Sequence, residues 1–376
     1  MVKFDDISLC MIVKNEAQTL PRCLASAQPH VTELVVVDTG SRDETREIAA
    51  AHGARVEQFI WCDDFAAARN YALTLVRCNW VLMLDADEEL IVHGGDLQSR
   101  IQSGAIAYLV AYHEILDTAQ YTPSYRACLF QNLPQFRYWG KYHETLQYEG
   151  QEIPTDKLQY LDGVSIYHYG FRPEVVKAKH RERNIPMLER LRQTEGLSIR
   201  LLHCLAVMYA ETDQLAAATE CSREILDRLT PNLLTGDRPK EFHFIPCALF
   251  SLGVLALEKE DYETVTLLCQ RGLEWCGNYP PLNYLAGVIT KKLGFIRGAV
   301  GYFEYCLQMA KDGSYYRGEP FEMPYMTTYA AWELGLTYQD LGDLHRAIAA
   351  WQQALEFDPN FTPAQVQLTK TLGTVS

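Results

Sequence analysis

The sequence predicts two parts: an α/β domain built on a mostly parallel, Rossmann-like sheet, followed by an all-helical solenoid. Three observations carry this. Over residues 7–85 short apolar runs alternate with amphipathic stretches, and the polar residues that stand out fall just after the apolar runs. Over 195–376 a small residue recurs at matched helical positions. The length of 376 residues exceeds what one hydrophobic core usually serves, which also favours two domains.

The elements can be justified in order. ISLCMIV (7–13), apolar but for Ser8, reads as a strand, followed by a helical stretch at 17–27 and the strand ELVVVD (33–38). DETREIAAAHG (43–53) is a helix that Gly53 can stop. A short strand RVEQFI (55–60), the helix DFAAARNYALTLV (64–76) and the strand WVLMLD (80–85) complete the series. Such strands belong to a sheet covered on both faces, and its ligands sit beyond the carboxyl ends of the strands.

The notable residues lie at those ends. Lys14, Asn15 and Glu16 follow the first strand, Asp38 to Ser41 the second, and Asp63 and Asp64 the third. Asp85, Asp87, Glu88 and Glu89 follow the fourth, in VLMLDADEEL. Four loops with polar groups on one rim make the layout of a binding crevice.

From about 105 to 170 the text turns aromatic and strand-like: AIAYLVAYHEIL, SYRACLF, FRYWGKYHETLQ and GVSIYHYGF. These segments can extend the sheet and wall an acceptor site. A helix is expected over 172–194, with the basic residues Lys177, Lys179, His180, Arg181 and Arg183 and a kink at Pro186.

The remainder is repetitive. In YAAWELGLTYQDLGDLHRAIAAWQQALEFDP (329–359), Leu334, Gly335, Tyr338, Gly342, Ala347, Trp351, Ala354 and Pro359 have the spacing of a tetratricopeptide repeat, although Ala331 stands where tryptophan is usual and Trp332 lies one place on. The second small-residue position recurs at 206, 253, 287 and 335. One spacing matches the repeat's period of about 34 residues, and the others imply insertions of about 13 to 14. Residues 361–376 are the expected capping helix.

Composition narrows the function. A net charge of −14 with dispersed acids and no basic stripe argues against nucleic acid as a partner. Eleven cysteines without a CxxC pair read as reduced thiols rather than a disulfide framework or zinc site, which points to the cytoplasm. No run approaches the roughly 20 apolar residues of a membrane span, and no integral membrane segment is expected.

Taken together, LCMIVKNEAQTLPRCL, ELVVVDTGSRDETREIA, DDFAAARNYAL and WVLMLDADE resemble the nucleotide-binding half of glycosyltransferase family 2, which has the GT-A fold. They look most like the bacterial subgroup that joins such a domain to tetratricopeptide repeats, a group that also resembles the peptide S-glycosyltransferases. The resemblance implies a GT-A domain over 1–194, with a nucleotide-sugar half at about 5–90 and an acceptor half at about 91–194, and a repeat domain over 195–376. It also implies a metal-dependent, inverting transfer from a nucleotide sugar, most simply a UDP-sugar. The leading acceptor is a peptide or protein bound with help from the repeats. A saccharide or lipid-linked acceptor, or an inactive scaffold, is the alternative.

The resemblance also assigns residues. Asp85 and Asp87 form its DxD pair, with Asp87 the direct ligand of Mg²⁺ or Mn²⁺, Asp85 on the ribose or sharing the metal, and His168 a third ligand. Asp38 matches the base-binding acid, against a plain turn reading, and Asn15 and Glu16 match pocket positions. Arg69 is expected on a phosphate or the sugar, or in a surface salt bridge. Glu144, in GKYHETL, is the candidate base, and His143 either orients it or is a satisfied strand histidine. Asp64 is expected to cap its helix, Glu88 and Glu89 to start the next one, and Lys179, Arg181 and Arg183 to form a solvated face or close over the pyrophosphate. The absence of QxxRW fits a single-addition enzyme. MIVKNEA lacks the glycines of a nucleotidyltransferase phosphate loop.

Overall fold

The structure is a computed structural model that describes residues 6–102, 104–115, 121–169, 173–240 and 242–375. The chain divides into two compact units, one running to Glu195 and one from Gly196, with Tyr121 and Thr122 counted in the second.

The first unit is an α/β fold on an eight-stranded sheet. Its strands are β1 (Ile7–Val13), β2 (Glu33–Asp38), β3 (Arg55–Gln58), β4 (Trp80–Met83), β5 (Glu88–Val92), β6 (Ala107–Glu114), β7 (Ser124–Gln131) and β10 (Leu158–His168), in the order β3-β2-β1-β4-β7-β6-β10-β5. Strands β8 (Phe136–Trp139) and β9 (Thr145–Tyr148) form a separate antiparallel hairpin. β1 pairs in parallel with β2 and β4, as does β2 with β3 and β6 with β10, whereas β7 runs antiparallel to β4 and β6, and β5 antiparallel to β10.

The mostly apolar strands have a simple cause. Ile7, Leu9, Met11 and Val13 pack into one core with Leu20, Cys23 and Leu24 of helix α1 (Leu20–Ala27), while Cys10 and Val37 pack into another with Ala66 and Ala72 of helix α3 (Phe65–Leu73). The sheet centre is buried on both faces, so both residue parities of β1 are apolar. Helix α2 (Thr45–Ala51) lies between β2 and β3 in the chain.

Two expectations fail here. β4 ends at Met83, and Glu88 and Glu89 do not start a helix; they begin β5, paired with His168 and Tyr167 of β10. The helix expected over 172–194 is interrupted: α4 (Pro173–Lys179) runs into a π-helical turn at His180–Asn184 and then α5 (Ile185–Thr194). Residues 170–172 lie outside the described residues. Pro186 has no N–H for the carbonyl of Glu182, four residues back in that π-helical turn, so the irregularity falls where the expected kink at Pro186 would act.

The second unit is helical. Helices α6 (Ile199–Glu211), α7 (Leu215–Thr235), α8 (Ile245–Glu258), α9 (Tyr262–Trp275), α10 (Pro280–Lys292), α11 (Ile296–Asp312), α12 (Thr328–Asp340) and α13 (Leu344–Phe357) pack as consecutive pairs, followed by α14 (Thr362–Val375). The recurring small residues mark close approaches. A Cβ on Gly335 would lie 2.2 Å from Trp351 Nε1, and one on Gly287 2.7 Å from the Phe303 ring. The longer spacings are accounted for by the 21-residue α7 with the loop behind it, and by the segment between α11 and α12.

Candidate functional site

The polar rim folds into a cavity of ≈ 270 Å³. Its walls include Lys14, Glu16, Trp61, Arg69, Asp85, Asp87, His143, Glu144, His168, Lys179 and Arg183, drawn from widely separated segments. Three loops at its edge hold a non-glycine residue in the left-handed region: Asn15 at φ 57°, Asp63 at 56° and His143 at 51°. Asn, Asp and His tolerate that conformation best.

Arg69 is the central cation. It is 7% exposed, its Nε donates to Glu144 Oε1 at 2.5 Å, and its Nη2 donates to Asp85 Oδ1 at 2.8 Å. Its buried Nη1 has no hydrogen-bond partner. The surface salt-bridge reading of Arg69 therefore does not hold. Local chemistry explains its placement. Asp64 caps α3 by accepting from Ala67 N, as expected, and Asn70 exchanges two 2.8 Å hydrogen bonds with the backbone of Tyr138 on β8. α3 thereby holds the β8–β9 hairpin, whose connecting loop carries His143 and Glu144.

Asp85 and Asp87 do not share one direction. The alternation expected of a strand cannot extend to them, because β4 has already ended. Asp85 faces Arg69, with Arg126 Nη1 at 3.9 Å from its Oδ2, whereas Asp87 Oδ2 lies 3.3 Å from His168 Nε2. Burial works to raise the Asp85 pKa, but the guanidinium groups of Arg69 and Arg126 prevail and bring it down to about 2. Burial likewise opposes ionisation of Asp87 and His168, yet their mutual hydrogen bond lowers the first and raises the second.

Among the described residues no group of three or more His, Cys, Asp and Glu side chains is arranged to hold a metal. The donor set is nonetheless compatible with one. Asp87 and His168 offer an oxygen and a nitrogen on one side of the cavity, and Mg²⁺ or Mn²⁺ commonly takes few protein ligands, completing its shell with water and substrate phosphate oxygens. Asp85 fits this set less well, since Arg69 occupies it.

The other predicted residues divide. Glu16 lines the cavity; its Oε1 accepts from Lys179 Nζ at 3.1 Å and its Oε2 from Thr19 at 2.7 Å. Asn15 is a loop organiser: its N–H donates to Ser41 Oγ and its Oδ1 accepts from Arg42 N. Asp38 is 2% exposed, and its carboxylate accepts from the amides of Gly40 and Ser41, which is the turn reading in atomic form. Thr39, rather than Asp38, lines the cavity. Lys179 and Arg183 face the cavity instead of forming a solvated strip, while Arg181 is exposed.

Two features were missed from sequence. One is Arg126 on β7, a lone charge in the apolar run SYRACLF, which pairs with the fully buried Glu88 at 2.7 Å. The other is an aromatic wall: Trp61 packs on Phe65 at 4.8 Å between ring centroids, and Phe65 on Tyr142 at 5.9 Å. Their types were visible, but their adjacency required the fold.

Two protein families match the chain. Residues 8–157 match Glycosyl transferase family 2, and residues 328–361 match Tetratricopeptide repeat. A TPR repeat-containing protein of Synechococcus elongatus is 43% identical over 171 residues, covering 44% of this chain and 42% of that one. Glycosyltransferase SunS of Bacillus phage SPbeta is 25% identical over 280 residues, covering 69% of this chain and 61% of that one. The matched part thus spans less than two thirds of either relative. Among solved structures, MamA is similar over 50% of this chain and 95% of its own, at 15% identity and a TM-score of 0.35. No helix among the described residues is long and apolar enough to cross a membrane.

Proposed function

We propose, for a chain that carries a glycosyl transferase family 2 domain followed by a tetratricopeptide repeat, that it moves a sugar from a nucleotide sugar to a peptide or protein acceptor. The observation that supports this most is the meeting of Arg69, Asp85, Asp87, Glu144, His168 and Lys179 around one cavity at the sheet's edge. Lys179 and Arg183 bind the diphosphate of the donor, most simply a UDP-sugar, Arg69 Nη1 donates to a donor oxygen, and Asp85 accepts from a ribose hydroxyl through Oδ2, the oxygen that Arg69 does not engage. Asp87 and His168 would hold a divalent cation, which when bound neutralises charge on the departing diphosphate.

Glu144 is the base. Arg69 engages its Oε1, and Oε2 takes the acceptor's proton as the acceptor atom bonds to the anomeric carbon. The bond from that carbon to the diphosphate oxygen breaks, and its electron pair leaves with the nucleoside diphosphate. One attack from the face opposite the leaving group inverts the configuration. Trp61, Phe65 and Tyr142 offer the incoming acceptor an apolar wall, and the repeats, which as a class present concave surfaces, hold the rest of a peptide. Buried free thiols such as Cys10, Cys128 and Cys306 support a reducing, cytoplasmic setting.

The test is thermal stabilisation by UDP, GDP, CDP, ADP and dTDP, each with Mn²⁺, followed by mass spectrometry of candidate peptides incubated with the matching nucleotide sugars. One nucleotide should raise Tm in the wild type and not in Asp87→Ala, and a peptide should gain the mass of a hexose or N-acetylhexosamine. No response to any nucleotide would favour an interaction scaffold.

A further inference from the structure

Beside Asp85 lies an ion pair that the transfer scheme does not use, between a buried glutamate and an arginine whose side chain is 36% exposed. Glu88 is fully buried, with Oε1 2.7 Å from Arg126 Nη1 and Oε2 3.3 Å from Arg126 Nη2. The same Oε2 accepts from the backbone N–H of Asp85 at 2.9 Å, and Glu88 N donates to Asp85 O at 3.1 Å. Arg126 is steadied from a further side by Tyr112, whose ring centroid lies 4.7 Å from the guanidinium carbon. Arg126 Nη1 stands 3.9 Å from Asp85 Oδ2, too far for a hydrogen bond but close enough to close if its partner were lost.

We infer that Glu88 is a positioning residue that holds Arg126 off the Asp85 carboxylate and fixes the backbone of the Asp85–Asp87 turn, so that Asp85 Oδ2, the oxygen Arg69 does not engage, stays available to the donor. This rests on the proposed role of Asp85 in donor binding. The physical reason is competition between two carboxylates for one guanidinium. A planar fork satisfied by both oxygens of Glu88 gains little by leaving it. Without that charge, Arg126 would turn to the nearest remaining carboxylate, and a donor would have to displace it.

The arrangement predicts an asymmetry that a purely structural ion pair would not show. Glu88→Gln keeps an oxygen for the Asp85 amide and removes only the charge. Arg126→Gln leaves Glu88 without its cation but also takes away the competitor for Asp85. Both single variants should lower Tm, and Arg126→Gln the more, because it strands the fully buried Glu88 whereas Arg126 keeps Asp85 and solvent. Their effects on donor binding should differ.

The experiment uses the full chain, with calorimetric titration of the nucleoside diphosphate that most stabilises the wild type in the presence of Mn²⁺, well below every variant's Tm. Glu88→Gln should weaken binding about tenfold or more, equivalent to about 1.4 kcal/mol. Arg126→Gln should stay within about twofold of wild type, and the double variant should recover to within about threefold, the non-additivity expected of side chains acting through one another. With substrate, Glu88→Gln should raise the donor KM far more than it lowers kcat. Equal weakening in both single variants, or no recovery in the double, overturns the inference. A wild type that binds no nucleoside diphosphate overturns the functional reading itself, and this inference with it.

Discussion

Arg69 Nε donates to Glu144 Oε1 at 2.5 Å across 75 positions of sequence, while the same guanidinium holds Asp85. One buried cation therefore joins the acidic turn after β4 to the carboxylate proposed as the base. Arg69→Ala would strand both acids, and breaking such a pair costs about 3–5 kcal/mol. Urea unfolding should show this loss. Arg69→Lys should restore part of the stability but not transfer, since one ammonium nitrogen cannot stand where Nε, Nη1 and Nη2 reach Glu144, the donor and Asp85.

Glu144→Gln tests the base directly. The amide retains an oxygen for Arg69 but cannot take a proton, so kcat should fall by about 10²–10⁴-fold. Binding of nucleoside diphosphate, measured by titration, should be nearly unchanged. A loss confined to donor affinity would instead move Glu144 to the donor side.

The helical unit should be acid-sensitive through His203. Its Nε2 lies 3.0 Å from Ser251 Oγ, its ring packs on Phe244 at 5.0 Å, and burial lowers its pKa to about 4. The unfolded chain takes up this proton near pH 6.5 and the folded chain only near 4, so the unfolded state binds more protons between them. Stability contributed by the neutral ring is complete above pH 6.5 and falls as the pH drops toward 4. The urea midpoint of the helical unit should decline over that window less steeply in His203→Gln.

Two glycines should respond oppositely to alanine. In Gly335→Ala the new methyl meets Trp351, at 2.2 Å from Nε1, and the overlap should cost about 1–3 kcal/mol. Gly301 is exposed within α11 and has nothing within 4 Å of the added carbon, so Gly301→Ala should stabilise by about 0.5–1 kcal/mol through helix propensity. Thermal unfolding of the two variants separates these effects.

Much of the architecture was legible in the chain because its signals are local. β1 and β2 fall on the predicted runs, since a strand buried on both faces is apolar at nearly every position, Ser8 and Glu33 satisfying each other by a hydrogen bond, and ends where polar groups gather. The cap at Asp64 and the small residues at 253, 287 and 335 were readable for the same reason: each depends on neighbours within one or two elements. The rim of polar strand ends also identified the cavity side of the sheet, from which Glu16, Arg69, Asp85, Asp87, Glu144 and His168 all line the site.

What the sequence could not decide is which charge meets which. Glu88 looked like the start of a helix, yet it opens β5 and is buried against Arg126, because antiparallel pairing with β10 makes Glu88 and Glu89 part of the sheet. Asp38 looked free to meet a base, but its loop amides claim it. Lys179 reaches Glu16 across 163 positions. The sequence by itself determined the strands, the repeats and the rim, because periodicity and turn chemistry act between near neighbours. Only the tertiary structure decided the ion-pair network, because the partner of a buried charge is set by which distant segments the sheet and hairpin bring within about 3–4 Å.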